Sequence, residues 1–167
     1  MSDSKGSSSC CGNLSAAYAH LLLRLWVGMR LFMAGVDKLR DGSGEATTFS
    51  MDNLAKKSAR IADLMSSNSF LPKAMCEQFA HYIVWPLLGV GVWVVLGIFT
   101  ELGLLAAGLV FLALGFGLAA LPDDAEVVGN IGVSIGLVAL ALMTAHAKQL
   151  SLDGLLRGKK KSAPAAE

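Results

Sequence analysis

The feature that most constrains this chain is where its charges are absent. Residues 82–100, 102–122 and 127–145 contain no Asp, Glu, Lys or Arg. Each run meets the criterion of about 18 or more consecutive apolar residues for a membrane-crossing helix. In hydrocarbon every backbone N–H and C=O must be satisfied within its own segment, so such runs are expected to be helical. A transmembrane β-barrel would instead show short alternating segments, and none is present. Only 16% of the residues are charged, against about 25% in soluble domains, which agrees with the runs.

A further apolar run, residues 14–39, is interrupted by Arg24 and Arg30. The resulting expectation is an all-α integral membrane four-helix bundle. Its membrane domain covers 14–156, with spans at about 14–39, 80–100, 102–122 and 127–147. Residues 1–13 are small and polar and read as a disordered tail, and 157–167 as a basic disordered tail. The polar loop 41–79 contains a short amphipathic surface helix, with Met51, Leu54, Ile61 and Met65 near one face and Asp52 as N-cap. Thr100, Glu101 and Gly103 are the candidates for the turn between spans two and three, and Pro86 lies near the start of span two, where a missing N–H is best tolerated.

Four spans put both termini on one side of the bilayer. That side carries Lys5, Lys148, Arg157 and Lys159 to Lys161. The opposite side carries Lys56, Lys57, Arg60 and Lys73, with the acidic Asp123, Asp124 and Glu126. Basic residues close to span ends weigh most in setting orientation, so both termini are expected in the cytoplasm. The net charge of +1 gives no reason to expect nucleic acid. Cys10, Cys11 and Cys76 fit neither a disulfide framework nor a zinc site. The Ser-rich stretch before Cys10 has no apolar region and does not read as a signal peptide.

Arg24 and Arg30 each lie about three residues from the midpoint of the first span, roughly 4–5 Å at 1.5 Å per residue. A charge at such depth costs about 2.5–3.5 kcal/mol on insertion scales. His20, Arg24, Gly28 and Gly35 share a stripe at 100° per residue, and Arg30 lies on another face. Glycines let helices approach closely, so this stripe is expected to face the bundle and Arg30 to reach toward headgroups. Two readings of Arg24 stay open: it snorkels, or it anchors a carboxylate, a backbone carbonyl or a polar headgroup. Glu77, Asp37 and Glu101, all at span ends, are its candidate carboxylate partners. Failing these, the partner is a lipid, a quinone-like molecule or another subunit.

Gly129, Gly132 and Gly136 form a second stripe, read as close helix packing. Asn130, Ser134 and Thr144 are expected to bond across helices, and Met29, Met33 and Met143 to pack. His20, His81 and His146 lie near span ends, with only His20 and His146 at a depth that haem ligation would require. No catalytic or metal-binding motif is present.

The segment Arg24 to Leu39, RLWVGMRLFMAGVDKL, carries an Arg, a Gly four residues on, and a Gly-x-x-Lys-Leu close (Gly35, Lys38, Leu39). It resembles the first-span signature of the DoxX/DoxD family. VVLGIFTELGLLAAG resembles that family's hairpin, whose Leu-Gly-x-x-Thr turn holds Gly97 and Thr100 here. QLSLDGLL, with Ser151 and Asp153, resembles the Leu-Ser-Leu-Asp element after the last span, and FLPKAM is a weaker match. Together these cover most of Arg24 to Leu156. The family consists of four-helix bacterial membrane proteins, some similar to the small subunit of thiosulfate:quinone oxidoreductase. The resemblance implies an inner-membrane accessory or scaffold subunit of a redox-associated assembly, with other membrane or peripheral subunits as partners. It also implies quinone as a cofactor, with Arg24 and His20 as its binding residues. Where the family carries an acidic residue in span two and a basic one after the hairpin Thr, this chain has an apolar span and Glu101. Catalysis by the chain alone is not expected. The alternatives are a small oligomeric transporter or channel, or a structural membrane protein.

Overall fold

The computed structural model describes residues 7–42, 47–69, 71–119 and 127–146. Helix α1 runs Ser7–Leu39 and leads through a two-residue strand, β1 (Arg40–Asp41), paired antiparallel with β2 (Thr48–Phe49). Then follow α2 (Met51–Asn68), α3 (Lys73–Tyr82), α4 (Val84–Leu96) and α5 (Thr100–Ala119). A π-helical segment, Val127–Gly132, runs directly into α6 (Val133–Met143). Among the described residues three helical stretches are long and apolar enough to cross a membrane: Leu14–Leu39, Lys73–Leu96 and Thr100–Ala119. The fourth apolar stretch is shorter than the expected 127–147 span and opens on the wider π turn.

The exposed faces account for these lengths physically. Leu22, Trp26, Met29 and Met33 line the outer side of α1, and Leu102, Leu105, Leu109, Leu112 and Phe116 that of α5. Both sets recur at three- and four-residue spacing, so each helix turns a continuous apolar stripe outward. Apolar stripes of this extent suit lipid rather than water. Met29, Met33 and Met143 thus belong to the outside, not to the packing between helices expected for them. Inside, Val27, Leu31, Leu87, Leu104, Ala107, Phe111 and Ala141 form the core.

α1 and α4 make the closest helix pair. A Cβ on Gly28 would sit 2.7 Å from Val95 Cγ2, one on Gly35 2.8 Å from Leu88, and one on Gly91 2.7 Å from the backbone nitrogen of Phe32. Hence the Gly28/Gly35 stripe is the seam. Gly129, Gly132 and Gly136 behave differently: all three are exposed, and an added Cβ would meet nothing within 4 Å. Their spacing marks one face of the last helix, but among the described residues no helix lies against it.

Three local details depart from the sequence expectation. The second membrane-crossing stretch starts at Lys73 rather than near residue 80, which leaves Pro86 inside it. Proline offers no N–H to the Tyr82 carbonyl and its ring crowds that group, and the helix breaks accordingly at Ile83. The turn between α4 and α5 is Gly97–Phe99, while Thr100, Glu101 and Gly103 already belong to α5. Gly97 takes a left-handed conformation (φ 71°) that ends α4. Finally, Ser50 and not Asp52 caps α2, its hydroxyl accepting from Asn53 N at 3.2 Å. Asp52 lies in the first turn, where its charge still favours the helix dipole.

α2 and α3 pack on each other through Ala62, Met65, Cys76 and Ala80. Of the predicted apolar face of α2, Leu54 and Met65 are buried, Ile61 is half-buried and Met51 is exposed. Lys57 ties α2 to the end of α1, donating to the Asp37 carbonyl at 2.7 Å. Helix α1 begins at Ser7, inside the stretch read as a tail.

Candidate functional site

The polar groups inside the bundle gather at two levels. The first holds His20 and Arg24, one turn apart on the inner side of α1, with 2% and 4% of their surface exposed. Gly28 faces Gly91 and Val95, and Gly35 faces Leu87 and Leu88, so α1 and α4 run antiparallel. One turn before Gly28 on α1 is therefore level with the residues just beyond Val95, which is the Gly97–Phe99 turn. Arg24 sits at the hairpin end of the bundle and not near its middle. The midpoint of span 14–39 misplaces it because α1 continues past the helices it packs against. Buried Thr100, whose hydroxyl donates to the Gly97 carbonyl at 3.2 Å, belongs to the same end.

His20 joins α1 to the end of α6. Its Nδ1 lies 3.0 Å from the Ala141 carbonyl oxygen and 3.2 Å from Thr144 Oγ1. A carbonyl can only accept, so Nδ1 carries the proton and donates. The Thr144 hydroxyl meanwhile lies within bonding distance of the Leu140 and Ala141 carbonyls. These bonds span more than 120 residues of chain and fix both the ring orientation and the tautomer. Of the carboxylates expected near Arg24, two are engaged elsewhere. Asp37 pairs with Arg40 at 3.3 Å, and Glu77 lies 4.0 Å from Lys73. Glu101 stands exposed in the first turn of α5.

The second level is built around Arg30. Arg30 is exposed, as expected, but its guanidinium is held: Nη2 donates to Asn130 Oδ1 at 2.9 Å. Asn130 lies in the π-helical segment, and the Ser134 hydroxyl donates to its backbone carbonyl. Ser134 thus bonds within its own helix, whereas Asn130 and Thr144 bond across helices. A cavity of about 460 Å³ opens here between α1, α4, α5 and the π-helical segment. Arg30, Asn130 and Ser134 supply its polar wall and Phe111, Leu114 and Leu118 its apolar one. Lys38, Arg40 and Asp37, at the end of α1, also line it. The volume falls in the range of about 300–1,000 Å³ usual for small-molecule sites.

Of the residues singled out from the sequence, the structure brings His20, Arg24 and Thr100 to one end and Gly28, Gly35 and Gly97 to the α1–α4–α5 framework. Lys38 and Leu39 close α1, with Lys38 in the cavity lining and the Leu39 carbonyl accepting from Ser50 N and Asn53 Nδ2. Ser151 and Asp153 lie outside the described residues, as do Asp123, Asp124 and Glu126. His81 stacks edge-on against Tyr82, and His146 bonds the Met143 carbonyl through Nδ1, so neither faces His20. Among the described residues no group of three or more His, Cys, Asp or Glu could hold a metal ion. The Arg30 cavity was missed in the sequence. Its only signal was an arginine off the glycine stripe, and Asn130 becomes its partner only once the fourth helix is placed. No family model matches the chain, and no curated protein or solved structure shows significant similarity to it.

Proposed function

We propose that the chain is a DoxX-like accessory or scaffold subunit of a redox-associated assembly in the bacterial inner membrane. In this reading it crosses the bilayer four times, with both termini cytoplasmic, and has no catalytic centre of its own. The observation that carries the proposal is the inversion of polarity: His20, Arg24, Thr100 and Ser134 are buried, while the outer helix faces are apolar. A buried guanidinium is costly in hydrocarbon unless it does a specific job. At the hairpin end, the His20–Ala141 bond ties α1 to α6 beside the buried Arg24 and stiffens the surface a partner subunit would meet.

Arg24 also has the donors that a quinone carbonyl requires, so a quinone held by Arg24 and His20 is a finer form of the same reading.

The test is purification of tagged protein from native membranes in mild detergent, followed by mass spectrometry and an optical spectrum. Stoichiometric redox subunits are expected, and they should be lost in Arg24→Lys, which keeps the charge but not the planar fork. A bare homo-oligomer with no redox partner in the native preparation refutes the reading and favours a transport or purely structural role.

A further inference from the structure

The Arg30 cavity has a charge pattern that the accessory role does not use. Three cationic side chains line it, Arg30, Lys38 and Arg40, against one carboxylate, Asp37. That carboxylate is already engaged by Arg40 at 3.3 Å and has Lys57 at 3.9 Å. The lining therefore carries excess positive charge, and Arg30, unlike the span-end Lys38 and Arg40, lies at a depth where uncompensated charge is unfavourable. Arg30, Met33 and Asn130 are all exposed, so the cavity opens sideways between α1 and the π-helical segment to the medium around the bundle. The opposite wall, Phe111, Leu114 and Leu118, is apolar. A cationic wall facing an apolar one, open to the side of a membrane helix, matches a molecule with an anionic head and a hydrocarbon tail.

We propose that this cavity binds the anionic headgroup of a lipid from the leaflet on the α2–α3 side, rather than a free anion. Arg30 holds the phosphate oxygens, steadied by Asn130, and Lys38 and Arg40 draw the headgroup in from the surface. Arginine suits this task because its planar fork can take two phosphate oxygens at once. The acyl chain lies along the α5 wall. The inference rests on the chain being embedded in a bilayer, and not on its having a redox partner.

Native mass spectrometry of the full chain, released from micelles doped with phosphatidylglycerol or phosphatidylcholine, tests it. Phosphatidylglycerol should bind at least about tenfold more tightly, and Arg30→Gln should remove about tenfold of that affinity, as expected for loss of one charge-assisted contact. Arg30→Lys should retain a fraction of it, and Lys38→Gln with Arg40→Gln should weaken it while leaving Arg30 in place. Equal binding of the two lipids, or unchanged affinity in Arg30→Gln, overturns the proposal. So does displacement of the lipid by millimolar inorganic phosphate, which would mark a free-anion site. Because the readout is lipid adducts on the chain alone, failure here and absence of redox subunits in the native preparation are separate results.

Discussion

Replacing Gly91 with alanine should destabilise the bundle, and replacing Gly89, two residues earlier on the same helix, should not. A Cβ at position 91 would lie 2.7 Å from Phe32 N, 3.0 Å from Phe32 Cα and 3.1 Å from the Gly28 carbonyl oxygen. All three atoms are backbone, so no side chain can swing aside. Ordinary contact begins at 3.4 Å, and α1 must therefore move away by about 0.7 Å, a gap that forfeits roughly a quarter to a half of each dispersion contact along the seam. Overpacking of this kind costs about 1–3 kcal/mol, and the rigid partner points to the upper part of that range. Alanine's higher helix propensity returns up to about 1 kcal/mol. At Gly89 an added Cβ meets nothing within 4 Å, so only the propensity term acts. The two variants should differ by about 2–3 kcal/mol, or roughly 30- to 150-fold in the folded-to-unfolded ratio. Dodecyl sulfate titration in mixed micelles, followed by tryptophan fluorescence, measures this directly. Equal midpoints for the two variants, or a more stable Gly91→Ala, would refute the α1–α4 seam.

Four further outcomes follow from local geometry. Phe99 is a non-glycine residue at φ 47°, so Phe99→Gly should relieve strain and raise the unfolding midpoint by about 1 kcal/mol; Gly97→Ala at φ 71° should lower it by about 1–2 kcal/mol. Ser50→Ala removes the α2 cap and should cost about 1 kcal/mol, seen as faster hydrogen exchange at the first amides of α2 with the membrane helices unaffected. His20→Phe removes the bonds to the end of α6 and leaves the Ala141 carbonyl with one donor fewer, costing about 1–3 kcal/mol. Crosslinking between cysteines introduced on α1 and α6 near that end should then broaden from one product to several, and an unchanged pattern would show that His20 does not hold the helices.

Much of the fold was legible because hydrocarbon imposes so few solutions. Two of the three charge-free runs lie in membrane-length helices, the third forms a shorter one, and the Arg-interrupted first run supplies the remaining membrane-length helix; Gly28 and Gly35 lie on the face of α1 that meets α4. The same spacing at Gly129, Gly132 and Gly136 marked a face that no helix among the described residues covers. The difference is physical: small residues permit close approach, but only a partner at the right distance uses it. Turn residues were equally ambiguous. Thr100 and Glu101 are the first polar residues after a long apolar run, yet the chain reverses before them, because Gly97 alone can take the left-handed conformation without a steric penalty. Pro86 was placed near the start of the second span, whereas it marks a break well inside a longer stretch, since helix can form on both sides of a proline when only one carbonyl is lost.

The two arginines carry the larger lesson about depth. On the sequence they are symmetric in depth about the centre of one apolar run, and only the glycine stripe separates their faces. Packing separates them in depth. The contacts of Gly28 and Gly35 put Arg24 level with the hairpin turn, while Arg30, six residues on, is level with the middle of α4 and faces the π-helical segment. The arginine at the end of the bundle is the buried one, and the arginine nearer its middle is the exposed one. That ordering makes sense only if exposure here means contact with a laterally open cavity and not with water. The buried Arg24 lies at the hairpin end beside buried His20 and Thr100. An exposed Arg30 in mid-bundle needs an anionic or strongly polar companion, and Asn130 supplies one neutral oxygen. If Asn130→Leu removes that oxygen, Arg30 should rely still more on an anionic lipid. The stabilisation conferred by phosphatidylglycerol over phosphatidylcholine should then be larger in the variant than in the native chain. A smaller difference would mean that Asn130, not a lipid, is what makes Arg30 tolerable at that depth.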